Sequence, residues 1–375
     1  MVKRVIVMKV LQVVRQYKPA VGGLETFVSE LATHLQEGGV ETEVLTLNRN
    51  FADGTALASQ SVEEGINVRR ISYFGSKRYP IALSTIQYLK QFDLIHVHAV
   101  DSFVDYLSIL KPFHRKPIIL STHGGFFHTK NQEKLKEYYF KTITKMVLKN
   151  VNKVIACSNN DANIFEKITK NNMELIENGI NVEKYQQIKH RKCTKNHFIT
   201  VGRFSKNKRI DLLLELISNL SDEFPDIKLR VVGRDYDGLK DHYHSLINRL
   251  GISEHVEIIE GASDDELLEL MADSQYFVSA SEYEGFGLSA LEAMAAGRIP
   301  VLNRIPSFVK MINDEKNGYI LEFQSMEKAV KKAKTILGSS NNDVLIEQAI
   351  AYSESYSWKT VVKGFQEVYE GVYTG

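Results

Sequence analysis

Two cysteines in 375 residues, Cys157 and Cys193, are too few for a disulfide framework or a multi-cysteine zinc site and read as free thiols in a reducing compartment. Proline occupies only 7 positions, and apolar residues make up 43% against 25% charged, which excludes a disordered, collagenous or coiled-coil chain. An excess of one charge sign is missing too. Lys and Arg number 47 against 46 Asp and Glu, so a formal charge of +1 gives no whole-molecule field to draw the chain onto nucleic acid. No uncharged apolar run approaches the ~18 residues of a bilayer span. Lys9 interrupts the apolar run that follows Lys3 and Arg4, and no small-residue cleavage site comes after it, so the N-terminus reads as a short tail leading into a buried strand. The expectation is a cytoplasmic protein, soluble or lying on a membrane surface. Neither G-x-G-x-x-G nor G-x-x-x-x-G-K-[ST] occurs, which disfavours a dinucleotide dehydrogenase and a P-loop nucleotidase.

What is present is alternation. Short β-branched runs predict strands at 10–14, 43–47, 68–73, 94–98, 117–122, 153–157 and 173–176, then at 197–201, 228–232, 256–259, 276–279, 300–302 and 319–321. Helical patterns lie between them, clearest at 24–36, where Leu24, Phe27, Val28, Leu31, Ala32 and Leu35 share a face; others cover 209–220, 239–250, 264–272 and 288–296. The length fits two domains. Two such series predict an α/β chain of two doubly wound, Rossmann-like domains facing across a cleft. The polar, aperiodic stretch Lys189–Asn196 sets the boundary near 190, giving domains 1–190 and 191–355, with an amphipathic helix in 356–375 crossing back to the first.

Three loops carry candidate chemistry. Gly22 and Gly23 follow the first strand and open a helix, where backbone amides can approach an anion, although a glycine pair at such a turn is more often just a tight turn. Arg203 and Lys208, in Gly202-Arg203-(x4)-Lys208, would together clamp a diphosphate, or lie in a solvated basic loop. Glu284, beside Gly285 and Gly287 at the start of a helix carrying Glu292, suits gripping vicinal hydroxyls and a phosphate at once. Helix-dipole stabilisation of an acidic loop explains Glu284 but not its glycines. Asp235-Tyr236-Asp237 has the form of a metal-binding Asp-x-Asp, but Gly238 favours a turn and no metal or other cofactor is expected.

The loop Glu284-Gly-Phe-Gly with a following glutamate, the Gly-Arg-(x4)-Lys pattern, the paired glycines and Glu177-Asn178-Gly179-Ile180, in this order, resemble the retaining GT-B glycosyltransferases of family 4. Val14-Arg-Gln-Tyr17, Gly75–Ala82 and Ser121-Thr-His-Gly-Gly-Phe-Phe-His-Thr129 are similar to a bacterial subgroup that transfers mannose from GDP-mannose to a polyprenyl-diphosphate-linked oligosaccharide in exopolysaccharide assembly. The resemblance implies that Gly22, Gly23, Arg203 and Lys208 meet the donor diphosphate, Glu284 the transferred sugar and Glu292 the ribose. Phe286, Gly287 and Leu288 would give backbone contacts. It implies a catalytic set of His123, Arg203, Lys208 and Glu284, with His123 beside the reacting sugar and with His98, Asp101, Gly124, Gly125 and Phe126 on the acceptor side. Asn303–Phe308 departs from the small residues that many relatives carry near the diphosphate. The competing readings are a UDP-sugar enzyme with another acceptor, a two-domain sugar-nucleotide epimerase or phosphorylase, and a non-enzymatic carbohydrate binder. A membrane partner is expected because 128–151 reads as a helix interleaving Lys130, Lys134, Lys136, Lys141, Lys145 and Lys149 with aromatic and aliphatic residues; a core-packed helix with a basic outer face is the alternative.

Overall fold

The computed structural model describes residues 8–20, 22–124, 137–169, 172–339 and 342–374. The chain divides into two units, Met1–Gly179 with Trp358–Gly375, and Ile180–Ser357. The boundary therefore falls about ten residues before the polar stretch near 190. Ile180, Val182, Tyr185 and Ile188 are buried in the core of the second unit, so the polar run lies within that unit, as a turn leading into the exposed start of its strand at Thr194–Val201, rather than at the join.

The first unit holds β1 (Lys9–Val13), β2 (Glu41–Leu47), β3 (Gln60–Glu63), β4 (Ile66–Ile71), β5 (Phe74–Ser76), β6 (Tyr79–Ile81), β7 (Leu94–His98), β8 (Ile118–Ser121), β9 (Lys153–Ala156) and β10 (Met173–Leu175). Eight of these form one sheet in the order β10-β9-β8-β7-β1-β2-β4-β3, parallel except for the edge strand β3, while β5 and β6 pair apart as a hairpin. Neither β3 nor the hairpin has the buried alternation that reveals a strand in sequence; all three residues of β5 are exposed.

Strand residues alternate between two cores. Leu11, Ile95, Ile118 and Val154 pack on one face. Val10, Leu94, Ile119 and Ile155 pack on the other, under α1 (Gly23–Glu37), whose buried face is Phe27, Val28, Ser29, Leu31, Ala32 and Leu35. The same core receives Trp358, Val362, Phe365, Val368 and Tyr369 from the last helix, Trp358–Thr374, which is how the chain returns to its first unit. Gly179 makes room for the return: a Cβ there would lie 2.7 Å from Cδ2 of Trp358. Helix α2 (Ser102–Ile109) is capped by the Asp101 carboxylate, which accepts from the Phe103 amide at 2.8 Å.

The second unit is a six-stranded parallel sheet of β11 (Thr194–Val201), β12 (Lys228–Gly233), β13 (Val256–Glu260), β14 (Ser274–Ser279), β15 (Ile299–Asn303) and β16 (Tyr319–Leu321), ordered β13-β12-β11-β14-β15-β16. Apolar clusters cover both faces, and β14, β15 and β16 are buried at every position, whereas β11, β12 and the edge strand β13 are partly open. Its helices include α3 (Ile210–Leu220) and α4 (Leu288–Ala295), with α5 (Trp358–Thr374) closing the chain in the first unit.

At Gly233 a Cβ would stand 1.8 Å from the Gly202 carbonyl oxygen, and the obstacle is backbone that cannot rotate away. Gly233→Ala should lower the unfolding free energy by roughly 2–3 kcal/mol in a denaturant titration. Gly23→Ala, with nothing within 4 Å of the added carbon, should stay within about 0.5 kcal/mol of the parent.

Candidate active site

In the second unit β11 lies between β12 and β14, so successive connections run in opposite directions from it. Loops leaving β11 and β14 flank this reversal, the place where open α/β sheets take ligands. They are the two motif loops, and backbone bonds lace them together. The Glu282 amide donates to the Asn207 carbonyl at 2.8 Å, and Asn207 Nδ2 to the Tyr283 carbonyl at 3.2 Å. Beside this seam Lys208 Nζ meets Glu284 Oε1 at 2.6 Å, the two side chains only 21% and 16% exposed. Ser281 Oγ donates to the same oxygen at 2.8 Å. The result is a half-desolvated cation and carboxylate at one spot, stronger than an exposed pair and able to exchange partners with a polyol phosphate.

Arg203 takes no part in the Lys208–Glu284 pair. Arg203 is exposed, its guanidinium 4.8 Å from the centre of the Tyr236 ring, and among the described residues no carboxylate pairs with it. Gly285 is exposed with open space beside it, whereas Gly287 has φ +97° and would drive a Cβ to 2.8 Å from Phe308 Cε1. Gly287 precedes Leu288, the first residue of α4, so the loop ends at a positive helix terminus. Phe286 packs its ring against Tyr356 at 5.3 Å.

The Asn303–Phe308 segment has a bracing role that sequence did not reveal: Asn303 Nδ2 donates to the Ser281 carbonyl at 3.0 Å, and Phe308 backs Gly287. Glu292, one turn into α4, is hydrogen-bonded to the Tyr185 hydroxyl. Burial pushes its carboxyl up to about 7, with Lys184 opposing the rise and Asp264 adding to it. Asp235 spends both oxygens on the Leu239 and Lys240 amides at 2.9 and 3.0 Å, and Asp237 accepts from the Lys206 amide at 3.0 Å. These carboxylates cap backbone.

In the first unit Gly22 caps α1 in an extended conformation, with Glu25 close by, and Gly23 is unobstructed. His96 and His98 alternate on β7, so both face the core beneath α1 and α5, where Gln12 also points. His98 Nδ1 lies 3.1 Å from His123 Nε2, and His123 Nδ1 lies 3.6 Å from Cys157 Sγ. Both ring nitrogens of His123 are therefore engaged within the unit. Burial pushes its imidazole down to about 3 and the Cys157 thiol up to about 12, keeping both neutral. His123 has φ +46° and Gly124 φ +83°; the Gly124 amide donates to Asp161 Oδ2 at 2.8 Å and so is spoken for. Thr122 Oγ1 donates to the same carboxylate oxygen at 2.7 Å. Asp101 Oδ2 sits 3.1 Å from Arg15 Nε, yet burial pushes the carboxyl up to about 7 against that attraction. Gly125 and Phe126 lie outside the described residues. Sequence reasoning missed Gln12, His96, Ser121, Cys157, Asp161 and Tyr369 in the first unit and Tyr185, Ser281 and Asn303 in the second. Only the His-x-His alternation gave a signal.

Glu292 and Asp101 bind protons more tightly folded than unfolded, so each contributes stability that is complete below its ordinary pKa and is lost as pH rises through about 7. Glu292→Gln should match wild type at pH 4.5 and become the more stable by up to ~3 kcal/mol at pH 8. Asp101→Asn should behave alike. Paired thermal-unfolding series across this pH range provide the check, and a gap that fails to widen toward pH 8 contradicts the raised carboxyls.

Residues 21–184 match the model of Glycosyltransferase Family 4, and residues 181–351 match Glycosyl transferases group 1. The chain is 36% identical over 367 residues to the GDP-mannose:cellobiosyl-diphosphopolyprenol alpha-mannosyltransferase of Xanthomonas campestris, covering 96% of each protein. It is 34% identical to the protein of that name from Komagataeibacter xylinus, covering 97% of this chain and 93% of the other. Among solved structures, sucrose-phosphate synthase of Thermosynechococcus elongatus superposes with a TM-score of 0.76 at 17% identity, covering 98% of this chain and 99% of that one. Anabaena HepE in complex with UDP and glucose gives 0.72 at 17% identity, with 97% and 99% covered. With two such sheets and these relatives over nearly its whole length, the chain belongs to the GT-B glycosyltransferases of family 4.

Proposed function

We propose that the chain transfers mannose, with retention, from GDP-mannose to a polyprenyl-diphosphate-linked oligosaccharide, a step of exopolysaccharide assembly. The relatives over 96% of the chain carry that donor and acceptor in their names. The observation that carries the reading is the Lys208–Glu284 pair at the strand-order reversal of the second sheet. In this reading the second unit takes the donor. Glu284 exchanges Lys208 for sugar hydroxyls, and the released ammonium turns to the diphosphate together with Arg203, with which no carboxylate pairs among the described residues. The amides around Gly285 and Gly287 and the N-terminus of α4 add fixed dipoles. Negative charge grows on the diphosphate as the anomeric carbon becomes cationic, and preorganised donors are worth most where charge develops. The departing phosphate oxygen accepts the proton of the acceptor hydroxyl on the same face, which gives retention without a carboxylate nucleophile. Gly22 and Gly23 contribute unobstructed backbone, and Glu292 holds the ribose. In the first unit, His98, His123, Gly124 and Asp101 with Arg15 shape the acceptor side. Because the diphosphate has cationic partners and Asp235 and Asp237 are committed to backbone amides, the reaction is metal-independent in this reading.

Glu284→Ala and Lys208→Ala should each lower kcat/KM by about 10²-fold without changing the fold. In a thermal-shift panel GDP-mannose should stabilise most, by ~2.7 kcal/mol at a hundredfold excess over Kd. A larger shift with UDP-glucose or UDP-GlcNAc would move the chain to the UDP-sugar reading, and restoration of an EDTA-treated enzyme by Mn²⁺ or Mg²⁺ would refute metal independence.

A lipid-linked acceptor is met at a bilayer surface, and among the described residues no helix is long and apolar enough to cross a membrane. Surface docking fits the stretch 137–149, where Phe140, Val147 and Leu148 are buried while Tyr138, Ile143 and Met146 are exposed among Lys141, Lys145 and Lys149. Lys141 is paired with Glu137, leaving Lys145 and Lys149 as the better anchors; Lys130, Lys134 and Lys136 lie outside the described residues. Each cation near an anionic leaflet is worth ~1 kcal/mol. Lys145→Glu with Lys149→Glu should reduce sedimentation with anionic liposomes roughly tenfold or more and slow transfer to a long-chain acceptor while sparing a short soluble analogue. Unchanged sedimentation assigns this basic face to solvent.

A further inference from the structure

Six hydrogen bonds join seven side chains of the first unit in one continuous run at the carboxyl ends of its central strands. Gln12 supplies the sense of direction. Its amide oxygen faces His98 Nε2 at 2.8 Å, and its amide nitrogen faces the Tyr369 hydroxyl at 3.3 Å. His98 Nε2 therefore carries the hydrogen and His98 Nδ1 accepts, which makes His123 Nε2 the donor at 3.1 Å. His123 Nδ1 in turn accepts from the Cys157 thiol at 3.6 Å. On the other side, the Tyr369 hydroxyl accepts from Gln12 and donates to His96 Nδ1 at 2.7 Å, and His96 Nε2 donates to Ser121 Oγ at 2.8 Å. Ser121 Oγ and Cys157 Sγ are the two ends of this run.

Each of the five inner members gives one hydrogen to its neighbour and receives one from the other side. An imidazolium has two donors and no acceptor, so protonating any of the three histidines breaks the run at that position. One direction of donation also means one tautomer for each histidine.

Tyr369 is the sole member from outside the sheet's own strands and their loops. It sits on α5, fully buried, its ring against His96 at 5.6 Å and Phe365 at 6.5 Å. Without its hydroxyl the Gln12 amide loses an acceptor and His96 loses a donor. The proton order on the path to His123 is then no longer determined. His123 has little other side-chain restraint: Phe27 packs edge-on at 4.5 Å, which positions the ring but is indifferent to which nitrogen is protonated.

We propose that Tyr369 is a positioning residue for His123: by linking Gln12 to His96 in this run it holds the His123 imidazole as the neutral Nε2–H tautomer, clamped between His98 and Cys157, and thereby fixes the left-handed turn at His123 and Gly124. Asp161 secures the turn from its far side through Thr122 and Gly124. The proposal rests on the reading above that His123 stands beside the reacting sugar.

Nitrogen-15 NMR of the full-length protein with labelled histidine reads tautomers directly. Wild type should show His96, His98 and His123 each as a single Nε2–H species. Tyr369→Phe preserves the aromatic packing and deletes the hydroxyl. Mixed tautomers at His96 and His123 are expected, with kcat about tenfold lower and donor KM within about twofold. Ser121→Ala removes the acceptor of His96 Nε2–H at the end of the run and should reproduce both effects. Single tautomers persisting in Tyr369→Phe, or wild-type kcat alongside mixed tautomers, overturn the proposal. His123→Ala separates it from its premise. Full transfer in that variant removes His123 from the active site, whereas lost transfer there with undiminished kcat in Tyr369→Phe defeats the positioning role alone.

Discussion

Reversal of strand order beside the first strand of each sheet is the constraint on which the candidate site depends. In the second unit it brings Lys208 against Glu284 across 76 residues of sequence, because the loop after β11 and the loop after β14 leave adjacent strands at the same edge. In the first unit it places Gln12 of β1 in register with His96 of β7. Hydrophobic burial, ~1.5–3 kcal/mol for each fully buried Val, Leu or Ile, fixes which face of each strand turns inward. It is non-directional, so the parallel pairing and the handed crossovers decide which polar side chains become neighbours at the edge.

The two units settle buried polarity in different ways. In the first, seven polar side chains satisfy one another as neutral groups, which avoids the desolvation cost of a charge. Burial lowers the proton affinity of His96, His98 and His123 and raises that of Cys157, so the same low dielectric that makes an unpaired group costly keeps every member uncharged. In the second, charge is retained. Lys208 and Glu284 stay partly open to water and can trade one partner for another, as a donor site needs. Glu292, further from water, is left near its titration point, held by a tyrosine hydroxyl and drawn two ways by Lys184 and Asp264.

Residues that touch no ligand in any reading carry much of the geometry. Asn303 ties the end of β15 to the Ser281 carbonyl, Phe308 leaves Gly287 no room for a side chain, and Gly233 lets the Gly202 backbone lie on β12. The segment whose sequence departs from the family pattern is thus a buttress for the Glu284 loop. Arg298 does comparable work deeper in the unit, its guanidinium bonded to the carbonyls of Ala296, Ala272 and Ser274.

The sequence by itself determined the two-sheet α/β class, most strands, α1 and the returning helix, since each follows from a local period of two or 3.6 that burial enforces along the chain. Glu284 was legible because a carboxylate beside two glycines at a helix start has few structural explanations, whereas Lys208 stood out only through the Gly-Arg-(x4)-Lys spacing. The edge strand β3 and the exposed hairpin left no such pattern, and the domain join was misplaced because a polar run marks a surface loop as readily as a linker. Tertiary structure alone decided that Arg203 lies over Tyr236, that His123 spends both nitrogens inside its own unit, and that residues 12, 96, 98, 121, 123, 157 and 369 form one hydrogen-bonded run. Hydrogen bonds reach about 3 Å and depend on direction, so partners from five separate stretches of chain meet only where sheet order and the return of α5 put them, and no local pattern records the meeting.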